Sequence, residues 1–142
     1  MLKTLKVDDL DIFTPTKWQT VILRNYGLVQ TKNIAKVLGC TTKRVEIEAA
    51  RLGIGNIKYD SLWRQNSYLT IIRSNWNLLN YEQLLTLLEM SEEELSYHLN
   101  NNDFLGVKLG NFKPEVESIK YKKLTKEELK QTRIIQKIIK KG

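Results

Sequence analysis

The sequence predicts an all-α fold: two tandem trihelical helix-turn-helix units, then a small β-hairpin and a C-terminal helix. Three observations support this prediction: a helix-turn-helix pattern, its recurrence 50 residues later, and a capped amphipathic stretch near the end of the chain. They divide the 142 residues into an N-terminal arm (1–13), unit one (14–60), unit two (61–110), and a hairpin strand with a basic helix (111–142).

Unit one contains the pattern in its clearest form. Ile34, Ala35 and Leu38 recur on one helical face, and Gly39 follows at the position where a helix often ends with positive φ. Thr41 can then accept from the free amides of the next helix as its N-cap. Two short helices joined by a turn that contains glycine form a helix-turn-helix.

A further helix is predicted before this pair. Thr14 is a potential cap, Pro15 suits the first helical position, and apolar residues at helical spacing follow. We expect four residues of unit one to be buried: Trp18, Ile22, Leu38 and Val45.

Unit two is predicted to be an internal repeat. A shift of 50 residues places Trp18 on Tyr68 and Asn25 on Asn75, with no gap, so residues 15–52 should superpose on 65–102. One position departs from the repeat, because Glu89 stands where unit one has Gly39. Either the second turn differs, or Glu89 carries backbone strain.

Several positions of unit one carry a family resemblance: Ile34, Ala35, Leu38, Gly39, Thr41, Val45, Ala49, Arg51, Leu52, Gly53 and Ile54. In these residues the unit resembles the Myb/SANT-like and homeodomain-like DNA-binding units. The resemblance implies that the third helix enters the major groove. Trihelical units of this pattern also serve as protein-binding modules, so it supports the fold more directly than the function.

A second resemblance covers most of unit two and the residues after it: Asn75–Leu79, Tyr81–Leu85, Asp103–Leu105, Lys108–Gly110 and Lys113-Pro114. This stretch resembles a segment that precedes the catalytic part of large uncharacterised bacterial proteins similar to glycoside hydrolases. The resemblance implies an N-terminal module of a longer protein. It transfers no active-site residue, because no catalytic domain follows in this chain.

The net charge of +7 is unevenly distributed along the chain. Residues 1–60 carry ten Lys/Arg and six Asp/Glu, residues 61–110 three and six, and residues 111–142 ten and four. The segments therefore carry +4, −3 and +6. This pattern favours a polyanionic partner for unit one and the tail.

The outward face of the third helix holds the candidate DNA contacts. Lys43, Arg44 and Arg51 suit phosphates or guanine edges, and Lys32 and Lys36 on the preceding helix suit the DNA backbone. The alternative is an ordinary solvated face, since two glutamates, Glu46 and Glu48, would also face the phosphate-rich groove. The matching helix of unit two opens with three glutamates, so we expect that unit to stay off DNA.

No catalytic, metal or cofactor motif is present, so we predict neither an enzyme nor a cofactor. The only histidine, His98, has no cysteine near it in sequence, and the lone Cys40 excludes disulfide and multi-cysteine zinc frameworks within the chain. No apolar run approaches the roughly 20 residues that span a bilayer, and a signal-peptide core is missing. We therefore expect a cytoplasmic protein without a membrane partner.

The tail is predicted to form the hairpin and the last helix. Phe104–Leu109 would pair with Val116–Tyr121, and Thr125 with Glu128 forms a capping box before a basic amphipathic helix. We expect that helix to dock on its own chain or on a downstream domain rather than on a membrane, because it lacks aromatic anchors.

Two functional hypotheses follow. The first is binding of double-stranded DNA through the third helix of unit one. The second is a non-catalytic protein-interaction or spacer module at the N-terminus of a larger bacterial carbohydrate-active protein. Clustering of the candidate cations with tail lysines on one surface would favour DNA binding. The interaction module would be favoured by an apolar groove built from Tyr26, Trp63, Trp76 and the C-terminal isoleucines. The sequence indicates no oligomeric state.

Overall fold

A computed structural model describes residues 14–100 and 115–141, with the side chains of 61–67, 100 and 141 left aside. Within these residues the chain forms helices and no strand, which confirms the all-α class. The helices are α1 (Lys17–Asn25), α2 (Thr31–Leu38), α3 (Thr42–Leu52), α4 (Ser61–Asn75), α5 (Tyr81–Leu88), α6 (Glu92–Asn100) and α7 (Lys126–Lys141). No helix in the described ranges is long and apolar enough to cross a bilayer.

Two of the three helix boundaries predicted in unit one are present. Gly39 ends α2 at φ 72°, and the Thr41 side chain accepts from the Arg44 amide to cap α3. The predicted start of the first helix is wrong, because the N-cap is Thr16, whose hydroxyl accepts from the Gln19 amide. Thr14 instead shares a 2.6 Å hydroxyl–hydroxyl hydrogen bond with Thr20.

The second helix of unit two and the turn after it follow those of unit one at an offset of 50 residues. Helix α5 spans the same positions as α2, and the bond from the Cys40 amide to the Ala35 carbonyl recurs between Met90 and Leu85. Glu89 has φ 56°, so it keeps the left-handed turn without being glycine. The strained alternative is therefore the correct one, at a typical cost of about 1 kcal/mol.

Helix α4 is longer than its counterpart α1 at its N-terminal end. Unit one has Pro15 at this level, and a proline disfavours helical backbone in the residue before it. Unit two has Gln65 at the equivalent position, so the helix extends back to Ser61.

The four residues predicted to be buried are confirmed as core residues. Trp18 is 3% exposed, Ile22 and Leu38 are 1% exposed, and Val45 is fully buried. They belong to one cluster that also holds apolar residues of unit two and of α7. The two units and the C-terminal helix therefore share a single core.

The units meet through reciprocal contacts between equivalent residues. The buried Asn25 and Asn75 amides donate to each other's side-chain oxygens at 2.9 and 2.8 Å. Helix α1 packs against α4, and α2 packs against α5. Contacts between like elements are the signature of an isologous, two-fold interface, here within one chain.

A second pair of buried polar residues repeats this reciprocity. Asn33 on α2 donates to the Leu87 carbonyl at 3.4 Å, and Gln83 on α5 donates to the Val37 carbonyl at 2.9 Å. Since 33 corresponds to 83 and 37 to 87, the two bonds join corresponding positions of the two units. The interface therefore uses hydrogen-bonded amides to fix how the units align.

Residues 115–125, which we call the strap, cross this interface without forming a strand. The prediction of a strand at Val116–Tyr121 is wrong, and its intended partner, 104–109, lies outside the described residues. Two strap amides donate to groups of the helices, that of Ile119 to Gln83 Oε1 at 3.0 Å and that of Tyr121 to the Leu38 carbonyl at 2.9 Å. These amides are therefore used by the end of α2 and by α5, not by a neighbouring strand.

Helix α7 docks on unit one, as expected. The predicted capping box is present, since Thr125 and Glu128 exchange amide-to-side-chain bonds of 2.9 and 3.1 Å. Helix α7 packs against α3, Gln136 donates to the Ala50 carbonyl at 3.1 Å, and the buried Gln19 donates to Thr132 at 2.8 Å. The helix thus covers one side of α3.

Candidate nucleic-acid interface

The five predicted DNA contacts lie on α2 and α3 and differ in their surroundings. Lys36 and Lys43 are exposed, whereas Lys32 lies 3.6 Å from the exposed carboxylate of Glu89. Arg44 and Arg51 both contact Glu48 and retain side-chain exposures of 38% and 43%. All five therefore reach solvent.

Glu48 occupies a different place from the one predicted. Its side chain is 1% exposed, and its Oε2 lies 3.4 Å from Arg44 Nη1 and 3.0 Å from Arg51 Nη1. The expectation that Glu48 would face the groove is wrong, because its side chain is buried and its carboxylate is paired with both arginines. Glu46 remains as the exposed carboxylate on this helix.

The strap brings further cations to the same end of α3. The Arg44 guanidinium lies over the Tyr121 ring at 5.6 Å, and this ring packs edge-on against Trp18 at 4.8 Å between centroids. Such a contact fixes the guanidinium laterally while leaving its donors available. The aromatic pair therefore holds both the strap and Arg44 in place.

Three lysines of the strap lie beside Tyr121 in sequence: Lys120, Lys122 and Lys123. Lys120 donates to the Val37 carbonyl at 3.2 Å, and its aliphatic chain passes beside Gly39. We define the basic turn surface as Lys36, Lys43, Arg44, Lys120, Lys122 and Lys123. The sequence reasoning counted the strap lysines only as tail charge, because no local pattern shows that the strap crosses the α2–α3 turn.

Unit two carries the opposite charge at the equivalent place. Glu92, Glu93 and Glu94 form the exposed first turn of α6, and Glu94 occupies the position of Arg44. Glu94 accepts from the Ser91 amide at 3.2 Å, which completes a capping box. These carboxylates stabilise the helix start and would repel a phosphate.

His98 and Cys40 both lie in partly buried positions. The half-buried His98 packs on Tyr68, with ring centroids 4.6 Å apart. Burial raises the pKa of the Cys40 thiol, with Arg44 acting in the opposite direction, so this cysteine is not an activated nucleophile. In the described ranges no group of three potential ligands could hold a metal ion.

The apolar groove of the second hypothesis is present only in part. An open cavity of about 750 Å³ is lined by Tyr26, Glu46, Ile57 and Ile139, among others. Trp76 is buried at 6% exposure and does not line it, and the side chain of Trp63 lies outside the described part.

Comparison of the chain with models of protein families, with curated proteins and with solved structures finds no match. The two family resemblances drawn from the sequence therefore stay predictions. The functional argument rests on the arrangement of charges around the α2–α3 turn.

Proposed function

We propose that this chain binds double-stranded DNA, with unit one as a helix-turn-helix that presents α3 to the major groove. Unit two is a second copy of the motif that supports unit one. The observation that carries the proposal is the anchoring of strap lysines beside Arg44 through Tyr121. It joins cations from three separate segments into one basic turn surface.

The extent of this positively charged surface favours DNA as the partner over a compact acidic protein. Its six cations come from the C-terminal half of α2, the first turn of α3 and the strap, so they form a patch wider than one helix. Phosphate contacts dominate DNA affinity, and helix-turn-helix proteins place the N-terminal residues of the second helix nearest the bases. Lys43 and Arg44 occupy those positions.

The burial of Glu48 adds support. Of the two glutamates on α3 that oppose DNA contact, one is removed from the surface, although its carboxylate offsets one of the two positive charges of Arg44 and Arg51. The pairing also restrains both guanidiniums, which lowers the entropy lost on binding. Glu46 is left either to oppose a phosphate or to accept from a cytosine amino group.

A protein-interaction module is the second candidate. Two exposed isoleucines favour it, Ile57 at 45% and Ile134 at 58% exposure, together with the cavity at Tyr26 and Ile139. Scattered apolar side chains of this kind are common on surfaces, so they support the second candidate less strongly than the charges support the first.

A salt titration with mixed-sequence duplex DNA tests the proposal. The double change Lys122→Ala and Lys123→Ala should weaken binding and reduce the slope of log affinity against log salt by up to about 1.8, or about 0.9 per phosphate contact. The matched control is Lys130→Ala with Lys137→Ala, which removes two exposed lysines from α7 and should change the slope by less. Equal losses in both variants would show nonspecific attraction by net charge and contradict the proposed surface.

A further inference from the structure

Gln83 on α5 connects unit two with both unit one and the strap. The residue is 6% exposed, and its amide nitrogen donates to two carbonyls, that of Val37 at 2.9 Å and that of Ile119 at 2.7 Å. Its amide oxygen accepts from the Ile119 N–H at 3.0 Å. Since a glutamine amide has two N–H donors, both are used. One buried side chain therefore joins three segments that are distant in sequence.

Gln83 departs from the role that its local sequence indicates. Asn80 and Gln83 have the spacing of a capping box, in which the glutamine side chain would return to the N-cap amide. Asn80 does accept from the Gln83 amide at 2.8 Å, but the Gln83 side chain bonds to α2 and to the strap. By contrast, Glu94 and Glu128 accept from the amides of their own N-cap residues at 3.2 and 2.9 Å. Gln83 thus serves a contact between segments rather than the start of its own helix.

The bonds to Ile119 fix which strap residues face the core. Gln83 contacts both the N–H and the carbonyl of Ile119, which is 7% exposed. The next three residues alternate, since Lys120 and Lys122 are exposed and Tyr121 between them is half-buried. A shift of the strap by one residue would break both bonds and move a lysine to the buried position, where a charge without a partner is unfavourable. The Gln83 bonds therefore keep the lysines on the outside.

The same side chain places the strap against the α2–α3 turn of unit one. The Val37 carbonyl, at the end of α2, accepts from Gln83 and also from the Lys120 ammonium at 3.2 Å. One residue further along the strap, the Tyr121 ring lies 5.6 Å from the Arg44 guanidinium. Gln83 of unit two is thus linked through the strap to a cation on the third helix of unit one.

The equivalent residue of unit one makes no such contact. Asn33 is fully buried, has a side chain one methylene shorter than glutamine, and donates to the Leu87 carbonyl at 3.4 Å. Within the described ranges the Asn33 side-chain oxygen has no hydrogen-bond partner. Of the two equivalent amides, the one in unit two therefore holds the strap.

We infer that Gln83 is a positioning residue for the basic turn surface. From unit two, it holds the strap so that Lys120, Lys122 and Lys123 lie beside the cations of unit one. This assignment rests on the proposed function, and it specifies how unit two supports unit one without contacting DNA itself. A buried amide with satisfied hydrogen bonds suits the role, because such a group specifies one alignment of the segments around it.

Amide hydrogen exchange of the full chain tests the anchoring in the absence of DNA. Gln83→Met keeps an unbranched side chain of similar length and removes its hydrogen bonds, so the Ile119 and Tyr121 amides should exchange at least about tenfold faster than in the wild type. Asn33→Ala is the matched control, because it removes the equivalent buried amide and should not accelerate the strap relative to the core. Equal acceleration of strap and core amides in Gln83→Met would contradict the role of Gln83.

A double-mutant cycle with duplex DNA tests the link to the basic turn surface. In the wild type, Lys122→Ala with Lys123→Ala should reduce the slope of log affinity against log salt by up to about 1.8. In Gln83→Met the same change should reduce the slope by less than about half as much, because these lysines are no longer held beside unit one. In Asn33→Ala the full reduction should remain. The same reduction in all three chains would overturn the inference.

Asn80→Asp replaces Gln83→Met if the latter does not fold. The Asn80 amide donates to the Ser118 hydroxyl of the strap at 2.7 Å, and an aspartate loses this donor but still caps the helix. Strap exchange and the cycle should then change in the same direction by smaller amounts, and no change in either would overturn the inference. If the wild type binds no duplex DNA but Gln83→Met still releases the strap, the proposed function is contradicted while the anchoring by Gln83 is supported.

Discussion

Units one and two share a backbone plan but carry opposite charges at corresponding positions. Both have a left-handed residue at the end of the second helix and a hydroxyl cap before the third, Thr41 in one and Ser91 in the other. In the first turn of the third helix, however, Arg44 of unit one corresponds to Glu94 of unit two. Caps and apolar positions determine the backbone, whereas exposed positions of the same helix remain free to specify a partner.

The interface between the units shows how the two copies remain tied together. Buried amides at equivalent positions, such as Asn25 and Asn75, bond to each other and leave no side-chain oxygen of that pair unused. Such a pair specifies one alignment, because a shift would bury polar groups without partners.

The largest expected effect concerns the shared core. Leu38 and Leu88 are equivalent and each 1% exposed, so Leu38→Ala and Leu88→Ala should each lower the free energy of unfolding by about 2–5 kcal/mol. Because both leucines belong to one core cluster, each variant should unfold in a single transition measured by circular dichroism with denaturant. Two separate transitions would show that the units fold independently, and a loss below about 0.5 kcal/mol would contradict the assigned core position.

The second-largest expected effect on stability concerns the hydrogen-bonded pair Asn25 and Asn75. Asn25→Ala and Asn75→Ala should each cost about 1–3 kcal/mol, because each leaves a buried amide without its partner. The double variant should cost less than the sum, since no orphaned partner remains. Additive losses in a double-mutant cycle would show that the two amides act separately.

The turn after the second helix gives the smallest stability effect. Gly39→Ala should destabilise the chain by about 1 kcal/mol, because Gly39 has φ 72° and alanine is strained there. Glu89→Gly should instead raise the free energy of unfolding by at most about 1 kcal/mol, because glycine adopts this backbone conformation without strain. The change also removes the ion pair with Lys32, but this pair is exposed and should contribute little to stability. Equal destabilisation by both changes would mean that Glu89 is not strained.

These comparisons also show which features the sequence could predict. Gly39, Thr41 and the Thr125–Glu128 capping box were predictable because each depends on neighbours within a few residues. The Thr14 cap failed for a local reason as well, since Thr16 offers the same hydroxyl two residues later. Periodicity identified the core of unit one but could not show that Asn25 meets Asn75, although the two align in the repeat.

The arrangement of the candidate site was harder to predict, because it depends on packing between segments that are distant in sequence. Glu48 was predicted to be exposed because its helix position alone does not reveal how deeply its side chain is buried in the fold. The strap lysines were missed because their position follows from contacts distant in sequence, such as the bond between the Tyr121 amide and the Leu38 carbonyl, 83 residues apart. A search for aromatic residues within basic runs would have singled out Tyr121 but not its contact.

The salt dependence of duplex DNA binding in matched variants of the two third helices tests the central claim most directly. Lys43→Ala with Arg44→Ala in unit one should weaken binding and reduce the salt slope by up to about 1.8. Changing Glu92, Glu93 and Glu94 to glutamine in unit two should leave affinity equal or slightly higher. A complete lack of duplex binding at about 50 mM salt and micromolar protein, or a loss of affinity confined to the unit-two variant, would contradict the claim that unit one carries the DNA surface.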